Sequence, residues 1–296
     1  MPGSTTRTID GHEVRLGNPD KPIYPETGFT RGNAIAYYEA VAPVMLPQLR
    51  DRVATRILYP DGTGGKRIFQ RHAPKGFPDW LRTVTISASP GTGKDAKRVV
   101  YPVIASLAGL AWLVNRAALE FHTPQWHVGP RGGIGNPDRL VIDLDPGEGL
   151  GLDDVAAVAG IVADRLRNEG HEPVPVTSGS KGIHLYAPLD GRKTSLAIHA
   201  MVRDLARDLA ERHPERIVAT ASREERGGRI FLDWSQNHPA RSTVTPYSLR
   251  GKASPIVASP RHWDEIGPGL TQLSPDDVLA RIARDGDLLA ALGLAN

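Results

Sequence analysis

The sequence predicts an α+β fold, a mixed α/β architecture whose mixed or antiparallel sheets are flanked by helices. Two observations carry that reading. Segments of strand and helix periodicity are interleaved along the 296 residues without settling into clean strand–helix–strand units. A hydrophobic content of 40% is enough for a sizeable core, and there is no internal repeat or low-complexity tract to suggest a solenoid or a disordered chain. One domain over 1–296 is expected, with a sub-division near Tyr101 to Ser106 that parts 1–105 from 106–296.

Taken in order, Thr8 to Leu16 has an Asp-Gly turn between alternating runs, a β-hairpin. Asn18 to Pro25 is too proline-rich for regular structure and presents Lys21 from a stiff loop. Thr30 caps a helix through Ile35, Tyr38, Val41 and Met45, with Arg31 in its first turn, where the helix dipole disfavours a cation and an anion nearby would give it a reason. Strands follow at Ala54 to Tyr59 and Arg67 to Gln70. Val84 to Ser89 and Arg98 to Pro102 pair across a long loop, Pro90 to Asp95. Ser106 to Glu120 reads as an apolar helix that delivers His122 and Trp126 into the next loop, and Gly129 to Asn136 reads as a flexible glycine loop.

Beyond it, Asp153 or Asp154 caps a helix through Val155, Val158, Val162 and Leu166 that ends at Gly170. Pro173 to Thr177 and Ile183 to Ala187 are strands joined by Ser178-Gly179-Ser180-Lys181-Gly182. Ser195 to His213 is helical, Arg229 to Trp234 is a strand, and Pro275 to Leu292 is a closing amphipathic helix interrupted at Gly286.

Composition narrows the function. Zero cysteines exclude disulfides, thiolate metal sites and a cysteine nucleophile, so any metal must sit on oxygen or histidine ligands. No run approaches the roughly 18 apolar residues of a membrane span, and the N-terminus lacks a signal-peptide stretch, so no membrane partner and a cytoplasmic, soluble protein are expected. A net charge of +3 suits a polyanionic partner without demonstrating one.

The chemistry gathers around Leu140 to Gly147. Strand alternation sends Asp143 and Asp145 to one face with Val141, and Leu140, Ile142 and Leu144 to the other. Paired acids at the end of a rigid strand make a place for a hard cation, although a solvent-facing strand would carry the same pattern. On the strand Arg229 to Trp234 a third carboxylate, Asp233, shares a face with Arg229 and Phe231. Three acids would complete an oxygen ligand set for one or two Mg²⁺ or Mn²⁺ ions. In the Ser178 to Gly182 loop, small residues let backbone N–H groups approach a polyanion that Lys181 would neutralise, and His184 follows on the next strand. The spacing is neither a Walker motif nor a serine-hydrolase elbow. Gly147 stands where a haloacid-dehalogenase phosphatase wants Thr or Val, and a metal-dependent nucleotide-sugar transferase stays open on the acids alone.

Four stretches follow one another in order: Asp143-Leu-Asp-Pro-Gly-Glu-Gly149, Thr177-Ser-Gly-Ser-Lys-Gly-Ile-His-Leu-Tyr186, Phe231-Leu-Asp-Trp-Ser-Gln-Asn237 and Pro246-Tyr-Ser-Leu-Arg-Gly251. Together they resemble the polymerase domain of bacterial non-homologous end-joining ligase D and its stand-alone relatives in the archaeo-eukaryotic primase superfamily. The similarity runs from about Val14 to Leu292. It implies a primase-like catalytic core, with 1–105 binding DNA and its 5′-phosphate and 106–296 binding metal and nucleotide. By resemblance, Asp143, Asp145 and Asp233 hold two catalytic metals, Mn²⁺ or Mg²⁺. His122, Ser178, Ser180, Lys181, Gly182, His184, Gln236 and Arg250 then bind the nucleoside triphosphate, ribo- or deoxyribo-, with ribonucleotides favoured. Lys21 and Arg31 take the 5′-phosphate of gapped or broken DNA, and Phe69 and Arg226 contact the template or DNA. A DNA ligase and an end-binding protein are the implied partners. Relatives show paired phenylalanines where this chain has Ile68-Phe69, so one stacking platform is missing, and Leu58 and Tyr59 stand where they tend to have Arg and Trp. A non-catalytic DNA-end scaffold is the other alternative that the fold would allow.

Overall fold

In the computed structural model, residues 4–91, 97–220, 222 and 224–292 are described. Among the described residues, five α-helices and a set of largely antiparallel sheets make up the fold: α1 Arg31–Leu49, α2 Leu107–Asn115, α3 Leu152–Asn168, α4 Ser195–Arg212 and α5 Pro275–Asp285. The expected mixed α+β class is what the chain adopts.

Two sheets organise it. The larger has six strands in the order Ile217–Val218, Ile230–Asp233, Arg139–Pro146, Ile183–Pro188, Val174–Thr177 and Ser259–Pro260, antiparallel except for the first pair. The smaller has four, in the order Thr243–Val244, Ala118–Thr123, Thr55–Leu58 and Ile68–Gln70, all antiparallel. On the larger sheet, the odd–even alternation of the strands separates two cores. Leu140, Ile142, Leu144, Ile183, Leu185, Ile230 and Leu232 face α3 and α4 and pack with Val158, Val162, Val202 and Leu209. Val141, Val176 and Tyr186 face the other way, into a cluster that runs from Ile9 and α1 through α2 and the smaller sheet to Leu292. Asp143 and Asp145 share Val141's parity and therefore lie on the side of the smaller sheet.

Local chemistry explains most boundaries. Asp10 and Gly11 both take positive φ, 49° and 76°, to turn the first hairpin, Ser4–Ile9 with His12–Gly17. Thr30 accepts from the Asn33 N–H at 3.2 Å while the Asn33 side chain accepts from the Thr30 N–H at 2.8 Å, a closed capping box at α1. Gly286, at φ 72°, ends α5 where the interruption is expected.

Four expectations need correction. The segment Asn18 to Pro25 holds a short strand, Pro22–Tyr24, paired with Phe29–Thr30. The helix from Ser106 stops at Asn115, because Ala117 takes φ 68° and turns the chain into the strand Ala118–Thr123. Glu120 and His122 are thus strand residues of the smaller sheet. The glycine stretch is the turn of a hairpin, Trp126–Val128 with Ile134–Pro137. At α3 the N-cap is Gly151, and Asp154 sits at the third helical position with its carboxylate accepting from the Gly151 N–H at 2.8 Å. The hairpin Thr83–Ser87 with Arg98–Pro102 forms as expected, while Thr92 to Asp95 of its loop lie outside the described residues. Among the described residues no helix is long and apolar enough to cross a membrane.

Candidate active site

The acidic strand Arg139–Pro146 is central in its sheet, and its neighbours determine what surrounds its carboxylates. On one side Asp143 pairs with His184, and on the other it pairs with Asp233. Three titratable groups from strands distant in sequence thereby occupy one rung of the ladder, and Asp145 lies two residues on, opposite Phe231. Like charges directly opposite across strands oppose folding, so a register that puts Asp233 beside Asp143 calls for a compensating cation. On the other side of the strand His184 Nε2 lies 3.2 Å from Asp143 Oδ1.

Asn237 holds the register. The strand Ile230–Asp233 ends opposite Asp143, which would leave Val141 unpaired on that side. The Asn237 amide takes its place, accepting from the Val141 N–H at 2.9 Å and donating to the Val141 carbonyl at 2.6 Å. A side chain completes the ladder that the backbone abandons, so Asn237 locks the 3-10 turn after Asp233 to the acidic strand. Asp233 Oδ1 accepts from the Ser235 N–H at 2.9 Å and Oδ2 from the Gln236 amide at 2.9 Å. Gln236, expected on the nucleotide side, is here a partner of Asp233.

Electrostatics mark the same place. Burial, then the charge of Asp143, pushes the Asp145 carboxyl up to about 6, with His184 pulling the other way and Asp233 adding to the rise. Arg226 also lowers it. The Arg226 guanidinium covers the Phe231 ring, 3.8 Å from its centroid, which sets this expected DNA contact beside the acids. Among the described residues no three carboxylate or imidazole groups already converge on one point. The register supplies the neighbourhood, and side-chain rotation of the acids would close it. Three carboxylates with an imidazole beside them are oxygen and nitrogen donors of the kind that suit a hard divalent cation in chemistry.

Beyond His184 the Ser178 to Gly182 loop is drawn tight. Ser178 N–H donates to the Gly182 carbonyl at 3.0 Å, Gly182 N–H to Ser178 Oγ at 3.2 Å, and Gly179 N–H to the Gln272 side chain at 3.0 Å. Two of the five N–H groups are thus spent on the loop itself and a third on Gln272, and those of Ser180 and Lys181 are left for a ligand. Two glycines are obligatory by position. Gly179 takes φ 65° and a Cβ there would stand 2.5 Å from Arg250 Cγ, while a Cβ on Gly182 would stand 2.4 Å from the Leu144 carbonyl oxygen. Gly182→Ala is therefore expected to cost about 2 kcal/mol or more, as a backbone collision beside the acidic strand. Denaturant unfolding checks this, and an unchanged midpoint would refute it.

The cations gather round this loop. Arg250 donates to the Ser178 carbonyl, and Lys252 Nζ lies 2.8 Å from Ser180 Oγ. Burial and then the Arg250 charge lower the Lys252 ammonium, with Arg67 and Lys181 adding to the effect. Lys252 and Arg67 are absent from the sequence-based expectation. Each is an ordinary surface residue by local pattern, and only the packing of the loop after Arg250 on the Ser180 loop brings Lys252 in. His122 also lies here, 3.1 Å from Glu120 Oε2.

The remaining expected residues lie elsewhere. Arg31 N–H donates to the Lys21 carbonyl at 2.9 Å, so the two are backbone neighbours at the start of α1. Arg31 reaches the Gly17 carbonyl at 2.8 Å, burial lowers its guanidinium, and Lys21 faces Asp61 at 3.9 Å. Phe69 is 55% exposed on the edge strand of the smaller sheet, with Arg71 over its ring at 5.3 Å. A cleft of about 780 Å³ lined by Arg50, Arg82, His127 and Asp138 opens at the other end of the acidic strand and holds none of these groups.

Comparison with known proteins fits this arrangement. The family described as "LigD, primase-polymerase domain" matches residues 30–289. The chain belongs to that family. It is 44% identical over 285 residues to the multifunctional non-homologous end joining DNA repair protein LigD of Mycobacterium tuberculosis, covering 94% of this chain and 37% of that protein. It is 30% identical over 277 residues to the bifunctional non-homologous end joining protein LigD of Bacillus subtilis, covering 93% and 43%. The chain thus spans well under half the length of these relatives. Among solved structures, the polymerase domain from Mycobacterium tuberculosis ligase D in complex with DNA superposes with a TM-score of 0.89 at 43% identity, covering 94% of this chain and 97% of that one. The LigD resemblance read from the four motifs therefore holds, and the fold extends over nearly the whole of a polymerase domain.

Proposed function

We propose that the chain is a template-dependent nucleotidyltransferase that extends a DNA 3′-hydroxyl across short gaps or at broken ends, with ribonucleotides favoured. The observation that carries this reading is the single rung of the ladder that carries Asp143, Asp233 and His184, beside a loop that contains Lys181 and is met by Arg250 and Lys252. A chain with this rung, closely superposable on a polymerase domain solved with DNA, has the parts for moving a phosphoryl group between two oxygens.

Asp143, Asp145 and Asp233 would hold two divalent ions, Mn²⁺ or Mg²⁺, which when bound lower the pKa of a hydroxyl nucleophile and neutralise charge on a transferring phosphoryl group. His184 orients Asp143. The Ser180 and Lys181 N–H groups, together with Lys181, Arg250 and Lys252, bind the triphosphate, and fixed donors of this kind stabilise the charge that develops on it without reorganising. Ser178 and Gly182 shape the loop, and His122 and Gln236 lie on the nucleotide side of it. The exposed ring of Phe69 would stack a template base. Arg226 reaches DNA from beside the acids. The sub-division at residue 105 then separates a DNA-binding part from the metal and nucleotide core, and a DNA ligase with an end-binding protein would complete the repair.

The test is extension of a primer on matched gapped, overhanging and single-stranded DNA, with all four ribo- and deoxyribonucleotides and Mn²⁺ or Mg²⁺. Incorporation opposite the template base at gaps is expected; sugar transfer in place of incorporation, or tight DNA binding without it under any metal, would overturn the reading.

Lys21 and Arg31 lie side by side and would bind the 5′-phosphate beyond the gap. Removing that phosphate should weaken wild-type binding about tenfold or more and scarcely change binding by Lys21→Ala/Arg31→Ala, with the wild-type affinity also falling as salt rises. Equal sensitivity of the two proteins to the phosphate would refute the assignment.

A further inference from the structure

Glu120 is 3% exposed in the strand Ala118–Thr123, and nothing above gives it a part in the chemistry. Its two oxygens are saturated. Oε1 accepts from the Tyr59 hydroxyl at 2.9 Å and from the Gly251 N–H at 3.0 Å. Oε2 lies 3.0 Å from Arg250 Nε and 3.1 Å from His122 Nε2. Burial alone would raise this carboxyl, yet the His122 hydrogen bond and the Arg250 charge hold it well below the usual range, so it stays ionised.

The geometry extends in one direction. Arg250 spends its Nε on Glu120 and one terminal nitrogen on the Ser178 carbonyl. A relay of Glu120, Arg250 and Ser178 therefore joins the smaller sheet to the phosphate-side loop of the larger one. An arginine left alone in this position has several rotamers open to it, and a bond at each end leaves one. His122 is held by the same oxygen. Tyr59 and Gly251 fix the carboxylate from the other side, so it cannot swing to follow its partners.

We infer that Glu120 is a positioning residue for triphosphate binding, holding the Arg250 guanidinium and the His122 ring in the orientation that a nucleotide meets. The inference rests on the nucleotidyltransferase reading for the identity of the ligand. An ordinary buried ion pair would contribute stability alone and treat every ligand alike. A positioning residue changes the affinity for triphosphate selectively.

Glu120→Gln separates the two. The amide oxygen can still accept from Tyr59 and Gly251, and His122 can present an acceptor nitrogen to the new NH₂. Only Arg250 Nε is left facing another donor. Titration of ATP and of AMP into the full chain with Mn²⁺ reads the result without requiring polymerisation. Loss of one charge-assisted contact to a fixed guanidinium should weaken ATP about tenfold and AMP less than about twofold, with DNA affinity unchanged. In gap filling the nucleotide KM should rise more than kcat falls. Combined with Arg250→Lys, the loss should be no greater than the larger of the two single losses, because both act through one group. ATP affinity equal to wild type, equal losses for ATP and AMP, or additive losses in the double variant would each overturn the inference while leaving the polymerase reading intact. A wild type that binds no triphosphate would overturn both. Should Glu120→Gln fail to accumulate folded, Glu120→Asp, which withdraws the charge by one methylene, carries the same comparison.

Discussion

Asp143→Ala or Asp233→Ala should abolish extension of a gapped duplex, by about 10³-fold or more in kcat, while DNA affinity stays within about twofold of wild type. The two residues pair across adjacent strands, so on the proposed reading each variant removes one ligand from a shared set. Neither side chain is needed to fill the core. The apolar packing of these strands is carried by Leu140, Ile142, Leu144 and Leu232 on the other face. Both variants should therefore fold, and a melting temperature at or above that of the wild type without metal is expected, because each removes one of two opposed charges. Asp233→Ala also frees Gln236 and the Ser235 N–H, and Asp143→Ala frees His184 Nε2, so a small offsetting loss is expected in each. Extension by either variant at an undiminished rate would refute the assignment of the three acids, whatever its effect on stability.

How far the site could be read in the sequence follows from which interactions are local. Period-two alternation is local, so the shared face of Asp143 and Asp145 and the matching face of Asp233 were legible. The pairing of Asp143 with Asp233 across ninety residues of chain is a property of register, and the acids became neighbours only in the fold. Asn237, which holds that register, has no local signature at all. Glu120 was hidden by a boundary error. The apolar period through Leu107, Leu110, Leu113 and Val114 runs on into Ala117 and Ala118, with no Gly or Pro to stop it. The turn at Ala117 is imposed by tertiary pairing of Ala118–Thr123 with Thr55–Leu58. The glycine hairpin was misread for the opposite reason. Glycine signals freedom locally, and Trp126 and Val128 find partners in Ile134 and Pro137 only through the packing around them. Lys252 is the general case of what remains hidden, a surface cation whose importance comes from the loop it meets.

Proton and metal should compete at Asp145, and the sign can be worked out. Its folded carboxyl titrates at about 6, above the ordinary value of 3.8, so between these two pH values the folded chain holds a proton that the unfolded chain has lost. Without metal, stability attributable to this group is greatest below pH about 4, falls as pH rises, and is fully lost above about 6, for a total on the order of 1–3 kcal/mol. Asp145→Asn mimics the protonated form, so at pH 7.5 it should melt above the metal-free wild type and match it more nearly at pH 4.5. Mn²⁺ reverses the order. It needs the carboxylate, so it should raise the wild-type melting temperature at pH 7.5 and leave Asp145→Asn nearly unmoved. At pH 5 a group titrating near 6 is ionised about one-tenth of the time, which makes Mn²⁺ binding about tenfold weaker than at pH 7.5. Calorimetric melts of both proteins at pH 4.5, 5 and 7.5, with and without Mn²⁺, measure every part of this. A metal-induced shift as large at pH 5 as at pH 7.5, or as large in Asp145→Asn as in the wild type, would show that the ion is held by other groups and that the raised carboxyl has another cause.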